Sequence, residues 1–304
     1  MDQASTLRHI VSHNKGQSPP RPRPGRAMRV ICVTSGKGGV GKSNIVLNLS
    51  LALSRLERKV FLLDADMGLA NVDVLLGLTP RYTLEHVMSG RKDINDIILT
   101  GPNGIRILPS GSGISELSEM TFEQQMFLFQ ELSRLDAEID YLLIDTGAGI
   151  SSNVLRFNAS AQEVVIVSNP EPTAITDAYA LMKLLAIKYH IRGFSLIANS
   201  VTSVKDGEAM FQRLESACAQ FLQVSLKYLG PVPYDSAVRK AVRQQKVLLD
   251  LFPTSPAARS LVRIARRIDG EAGAVPVPLP RQAAPQAVTP ASFWDRLLHW
   301  KKAK

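Results

Sequence analysis

Residues Gly36-Lys37-Gly38-Gly39-Val40-Gly41-Lys42-Ser43 match the spacing G-x-x-x-x-G-K-[ST], and few eight-residue patterns restrict a fold as tightly. A β-type run, Val30-Ile31-Cys32-Val33-Thr34, comes before the glycines. After them Ile45, Leu49 and Leu53 repeat along one side of a helical pattern. Strand, glycine loop and helix, in that order, is the context in which this spacing carries chemistry. Glycines let backbone N–H groups close round a phosphate chain where a Cβ would block the approach. A helix starting near Ser43 adds the positive end of its dipole. In that arrangement Gly36 to Ser43 form the nucleotide cradle, Lys42 reaches the β- and γ-phosphates, and the Ser43 hydroxyl ligates Mg²⁺.

From Arg29 onward, apolar strands alternate with helical patterns. Expected strands are Val60–Asp64, Ile105–Leu108, Tyr141–Asp145, Val164–Val167, Phe194–Ala198 and a shorter Leu226–Leu229. Helical patterns lie around 43–56, 122–136, 173–189, 204–222 and 236–246, with a last helix from Ala258 to Ile268. Near-continuous apolar strands separated by helices predict an α/β fold, a doubly wound and mostly parallel sheet covered on both faces. Ligands in such sheets sit at the carboxyl ends of the strands. Asp64, Asp66 and Asp145 all fall at such ends.

At 304 residues the chain can hold one large α/β domain with tails. No stretch approaches the roughly 18 apolar residues of a membrane span. The first residues lack the apolar centre of a signal peptide, and the two cysteines, Cys32 and Cys218, form no metal-ligand spacing and no disulfide framework. A cytosolic protein with reduced interior thiols is expected. The net charge of +9 points toward nucleic acid only if it sits on the folded domain. By this count the excess lies toward the ends, and no basic face on the domain is evident from it: residues 1–28 carry +4, 256–269 and 270–304 carry +3 each, and 29–255 balance at −1.

Lys37, directly after the first glycine, is superfluous in an ordinary phosphate loop. K-G-G-x-G-K-[ST] resembles the deviant Walker A motif of the MinD/ParA ATPases. That resemblance implies a P-loop NTPase of the MinD type in which Lys37 crosses a homodimer interface to the partner's nucleotide. Asp145, ending an apolar strand before Thr146-Gly147-Ala148-Gly149, has the placement of a Walker B carboxylate holding Mg²⁺ directly or through water. Asp64-Ala65-Asp66-Met67-Gly68-Leu69-Ala70-Asn71 resembles the D-x-D-x-G-L-x-N element of the MinD branch. There the second Asp positions the attacking water, which implies that role for Asp66, with Asp64 near the metal. Lys37, Lys42 and Asp66 are then the catalytic set. No N-K-x-D guanine signature occurs. Asn199, and Pro231, Pro233 and Tyr234 in a proline-rich loop, occupy the family's adenine-holding positions, so ATP with Mg²⁺ is expected. Ser43-Asn44 stands where many relatives have two threonines, and serine still ligates Mg²⁺.

Both ends point to one branch. Asp2-Gln3-Ala4-Ser5-Thr6-Leu7-Arg8 resembles the D-Q-A-x-x-L-R element of the FlhG (FleN) regulators of flagellar number. The resemblance implies that Asp2, Gln3, Ala4, Leu7 and Arg8 dock on a signal-recognition-type GTPase, FlhF, and stimulate it. At the other end Phe293, Trp294, Leu297, Leu298 and Trp300 or Lys301 fall at helical spacing, with Arg296, Lys301, Lys302 and Lys304 on the other side. Leucines and aromatics opposite cations predict an amphipathic helix for the anionic inner-membrane surface; docking of that helix on its own domain is the alternative. The expected organisation is an activator helix and Pro/Arg-rich linker at 1–28, an ATPase domain at 29–269, a Pro/Ala-rich linker at 270–291 and a membrane-targeting helix at 292–304. The branch further implies a cytoplasmic protein, peripheral to the membrane when ATP-bound, with flagellar C-ring proteins or a transcription regulator as additional partners. The rival reading is a ParA-type DNA-partition ATPase using the basic ends; an Mrp-type iron–sulfur carrier is disfavoured because no C-x-x-C is present.

Overall fold

Strands covered on both faces need no polar side, and the Val-, Ile- and Leu-rich runs supply the centre of a sheet for that reason. The computed structural model describes residues 28–66, 72–109, 127, 131–132, 139–270, 293 and 296–297. The expected activator helix with Asp2, Gln3, Ala4, Leu7 and Arg8, residues 67–71, most of the helix expected at 122–136, and Trp294, Leu298 and Lys301 lie outside the described residues.

The element order is β1 (Arg29–Ser35), α1 (Lys42–Ser54), β2 (Val60–Ala65), α2 (Val72–Leu76), α3 (Leu84–Met88), α4 (Ile94–Ile97), β3 (Leu99–Thr100) and β4 (Arg106–Leu108). It continues with β5 (Tyr141–Ala148), α5 (Ser152–Ser160), β6 (Glu163–Ser168), α6 (Pro172–Tyr189), β7 (Gly193–Val201), α7 (Val204–Ala217) and β8 (Ser225–Pro233). The last elements are α8 (Ser236–Arg243), α9 (Leu248–Leu251) and α10 (Pro256–Gly270). Among the described residues the sheet runs β3-β4-β2-β5-β1-β6-β7-β8, and the β3–β4 pair is its antiparallel edge. The chain winds outward from β1 in both directions, so a crevice opens at the carboxyl end of β1, where the glycine loop begins.

Side chains of β1 alternate between two cores. Ile31 and Val33 pack with Ile45, Leu49 and Leu53 of α1 and with Leu261, Ile264 and Ile268 of α10. Val30 and Cys32 face the other way, toward Phe61, Leu63, Leu142, Ile144 and Phe157. The apolar stripe expected on α1 is thus the stripe that is buried.

At the amino ends of the strands a polar clasp closes the domain. Arg29 donates to both Glu163 carboxylate oxygens at 2.8 Å, to Tyr141 Oη at 3.2 Å and to the Ile268 carbonyl at 2.5 Å. Tyr141 donates on to Asp269 Oδ1 at 2.9 Å, and Arg58 forks onto the same carboxylate at 2.9 and 3.0 Å. The first strand and the last helix are held by one charge-assisted network.

Two differences from expectation have physical reasons. Pro231-Val232-Pro233 is the end of β8 and not a loop, because β8 is an edge strand and proline costs no ladder hydrogen bond on an outer edge. The four- and five-residue helices α2, α3 and α4 are too short to show a helical period, and α3 and α4 are set by capping at Thr83 and Asp93. Among the described residues no helix is long and apolar enough to cross a membrane.

Both cysteines are buried, and burial pushes the Cys32 thiol far up and the Cys218 thiol up to about 11. With that value, on the order of one Cys218 thiol in a thousand is ionised at pH 8. Ellman's reagent at pH 8 should therefore titrate neither thiol in the native protein and both in guanidinium; rapid native labelling of Cys32 would contradict its placement in the central strand.

Candidate functional site

The loop after β1 is built where only glycine fits. Gly41, at the cap of α1, has φ 88° and ψ 18°, the left-handed region. A Cβ there would come within 2.5 Å of Asn199 Nδ2, which donates to the Val40 carbonyl at 2.7 Å. A Cβ on Gly36 would lie 2.2 Å from the Asp177 backbone of α6. The loop is thus pressed between the end of β7 and α6, with Gly149 N–H donating to the Ser35 carbonyl at 2.8 Å from the switch side.

Lys42, in the first turn of α1, is buried and ion-pairs with Asp145 Oδ1 at the end of β5. Asp145 is fully buried; its other oxygen, Oδ2, has no hydrogen-bond partner among the described residues. Burial pushes this carboxyl up from the ordinary range, while Lys42 and the Ser43 hydroxyl pull it back and the Asp66 charge adds to the rise. A buried oxygen with an unused lone pair, next to a serine hydroxyl and a lysine, is a donor set suited to a hard cation that keeps several waters and phosphate oxygens. Ser43 and Asp145 therefore fit Mg²⁺. Among the described residues no three His, Cys, Asp or Glu cluster as a self-contained metal cage.

Asp64 is fully buried, and its two oxygens accept from Asp66 N–H at 3.1 Å and Val72 N–H at 3.2 Å. It fastens both ends of the segment that carries Asp66. The Asp66 carboxylate lies 3.3 Å from where a Gly147 Cβ would stand, so it abuts the strand end that follows Asp145. The β2–β5 register, Asp64 opposite Asp145, places these carboxylates side by side at one end of the sheet.

Lys37 is partly exposed, and its ammonium pairs with Glu171 Oε2 at 2.7 Å and Thr173 Oγ1 at 2.9 Å, at the start of α6. Lys37 and the Asn169 side chain hold the Glu171 carboxyl below its usual range. Sequence reasoning did not assign these partners, which lie in the loop Ser168-Asn169-Pro170-Glu171-Pro172-Thr173 after β6. The signal available was an acid two positions from a threonine at the amino end of a helix bordering the glycine loop.

The adenine positions are only partly brought together. Asn199 and Val232 are opposite in the β7–β8 register, and Tyr234 N–H bonds the Val201 carbonyl at 2.9 Å. Asn199 turns toward the glycine loop, however, whereas Pro231 and Pro233 line a separate cavity that neither Asn199 nor Tyr234 lines. Tyr234 is 56% exposed beneath the Arg239 guanidinium, 5.6 Å from its ring centre. Of the expected membrane helix, Phe293 and Leu297 are fully buried in the core that contains Met28, Val30 and Cys32. Arg156 Nε donates to the Leu297 carbonyl at 2.7 Å and Arg296 to the Ser160 carbonyl at 2.5 Å. Phe293, Arg296 and Leu297 are thus docked on the domain.

Replacing Gly41 with Ala forces a side chain into a left-handed site, at about 1–3 kcal/mol, and displaces Asn199. A fluorescent ATP analogue should bind at least a hundredfold more weakly to that variant while its far-ultraviolet spectrum stays native.

The protein-family model described as ParA, NUBPL iron-transfer P-loop NTPase, matches residues 26–269. The chain is 46% identical over 242 residues to the antiactivator FleN of Pseudomonas aeruginosa, covering 80% of this chain and 86% of that one. It is 36% identical over 273 residues to the flagellum site-determining protein YlxH of Helicobacter pylori, covering 90% of each. The solved structure of the septum site-determining protein MinD complexed with Mg-ADP, from Pyrococcus horikoshii, superposes with a TM-score of 0.64 at 26% identity, over 81% of this chain and 98% of that one. With its eight-stranded, mostly parallel sheet and a glycine loop carrying both Lys37 and Lys42, the chain belongs to the ParA/MinD family of P-loop NTPases.

Proposed function

We propose that this protein is an ATP-driven dimerisation switch that hydrolyses ATP slowly and regulates the number or placement of flagella. The observation that carries the reading is the position of Lys37. It sits on the rim of the phosphate loop, held only by an exposed contact to Glu171 and Thr173. An exposed ion pair is weak, so the lysine can exchange Glu171 for the more highly charged phosphates of a nucleotide in a second subunit. Ile150 and Val74, exposed beside the nucleotide end of the sheet, add apolar surface for that second subunit to cover.

Hydrolysis at such a site is positioning and charge neutralisation. Lys42 leaves Asp145 for the β- and γ-phosphates, and the backbone N–H groups of the glycine loop hold the chain of phosphates. Ser43 and Asp145 are the residues that hold Mg²⁺, which when bound neutralises phosphate charge. Asp66, fastened by Asp64, orients the water in line with the γ-phosphate, and Lys37 from the partner offsets the charge that develops there.

The tails convert that cycle into output. In the single chain the apolar side of the C-terminal segment is stored in the core through Phe293 and Leu297. Release in the ATP dimer presents Phe293, Trp294, Leu297, Leu298 and Lys301 to anionic lipid, and two such helices bind far better than one through effective concentration. The N-terminal helix, led by Gln3, stimulates the partner GTPase. Support for the flagellar setting comes from the similarity to the flagellum site-determining protein YlxH, and the likeness to the antiactivator FleN supports a regulatory role.

Asp66→Ala should bind ATP and sediment as a dimer yet release phosphate at background rate; undiminished turnover removes Asp66 from the role assigned here. Lys37→Ala should bind ATP as a monomer. Truncation before Ser292 should abolish ATP-dependent pelleting with anionic liposomes without lowering ATP affinity, and pelleting that persists refutes the membrane role of the C-terminal helix.

A further inference from the structure

The +3 of residues 256–269 joins further cations just before it in the chain. Between Lys227 and Asp269 the chain has nine Lys and Arg against three Asp. All three acids are already engaged. Asp235 accepts from the Ala237 and Ala257 N–H groups, Asp250 pairs with Arg55, and Asp269 with Arg58. Because Asp235 binds the first turns of both α8 and α10, it joins the amino ends of those two helices. Their outer faces expose Arg239, Lys240 and Arg243 on one, and Arg259, Arg263 and Arg266 on the other. Among the described residues no carboxylate pairs with Arg259 or Arg263; Arg263 gives one N–H to Ser260 Oγ at 2.7 Å. Asp206, the acid in the first turn of α7, accepts from the Thr202 hydroxyl, and its backbone N–H donates to Ser203 Oγ at 3.1 Å.

This basic surface is not flat. On its α10 side, against the edge strand β8, lies a cavity of about 300 Å³ lined by Pro231, Pro233, Pro256, Val201 and Val204, by Thr202, Ser203 and Ser260, and by Arg259 and Arg263. None of residues 36–43 lines it, nor does Asn199. Apart from the residues bearing hydroxyls and guanidinium groups the walls are aliphatic, and no lining residue is aromatic, so there is no platform on which a nucleobase could stack. Pro231 and Pro233 carry no N–H, so an added β-strand would find no donors there. What remains is an aliphatic socket large enough for one side chain, beside two guanidinium forks one helical turn apart. Such forks suit carboxylates.

We propose that this cleft is a docking site for an acidic segment of a partner protein that inserts one aliphatic anchor between β8 and α10 and places flanking carboxylates on Arg259 and Arg263. The site is separate from the phosphate loop. It lies next to the ends of β7 and β8, which puts the partner beside the nucleotide site without entering it.

The test uses the full chain and a fluorescein-labelled peptide, Glu-Glu-Leu-Glu-Glu, read by anisotropy. Arg259→Glu with Arg263→Glu should weaken binding at least tenfold, as should Val204→Asp, whose side chain is 59% exposed and whose change does not disturb the core. Exchanging the peptide's Leu for Ala should weaken it severalfold, and affinity for a fluorescent ATP analogue should stay within twofold in every variant. Equal peptide binding by the double arginine variant overturns the proposal. So does displacement of the peptide by ATP, which would make the cavity part of the nucleotide site. Tighter binding of a single-stranded oligonucleotide to the same arginines also overturns it, making the surface a nucleic-acid one.

Discussion

One buried ion pair, Lys42 with Asp145, organises the nucleotide end of the sheet. Taking two charges out of water is costly, and the pair is stable only while each meets the other or something more strongly charged. That condition makes the site selective. A triphosphate chain offers Lys42 a better partner, and a cation offers Asp145 compensation for the lysine it gives up. Neither exchange is favourable alone, since it strands the other partner as an isolated buried charge. Nucleotide and metal are thereby coupled through one contact between α1 and β5.

The same coupling reaches the surface. Asp145 lies beside Asp64 in register, Asp64 holds the segment that carries Asp66, and the end of β5 bonds back to the glycine loop through Gly149. A change in what Lys42 contacts is felt across three strand ends. Lys37 stands outside this network, on the rim, where its contact to Glu171 can be exchanged without disturbing the buried pair.

Much of this was legible in the residues. Val30 to Thr34, the glycines and the Ile45-Leu49-Leu53 stripe define strand, loop and helix by period and by steric need, and the structure has them where those arguments put them. Asp145 and Asp66 could be found because carboxylates at strand ends are conspicuous after apolar runs. The Glu171 contact was harder, since it depends on how α6 packs against Gly36 and no local pattern encodes that. The prolines of β8 misled for a definite reason: proline argues against a strand only where an N–H is needed, and sequence does not say which strand is the edge. The charge of α10 showed in the count over 256–269, but that of α8 was concealed in the long span 29–255. Three aspartates cancel arginines in a sum but not in space, because each is already bound elsewhere.

The polar clasp at the amino ends of the strands has a mechanical corollary. Residue 28 and residue 270, from which the two tails extend, are both anchored within a few residues of Arg29 and Asp269, at the pole remote from the phosphates. Tension applied to the chain before residue 28 would meet first at the foot of the central strand, joined there to the terminal helix by Tyr141. A pull there enters at an interior strand, flanked on both sides, and does not peel an edge of the sheet.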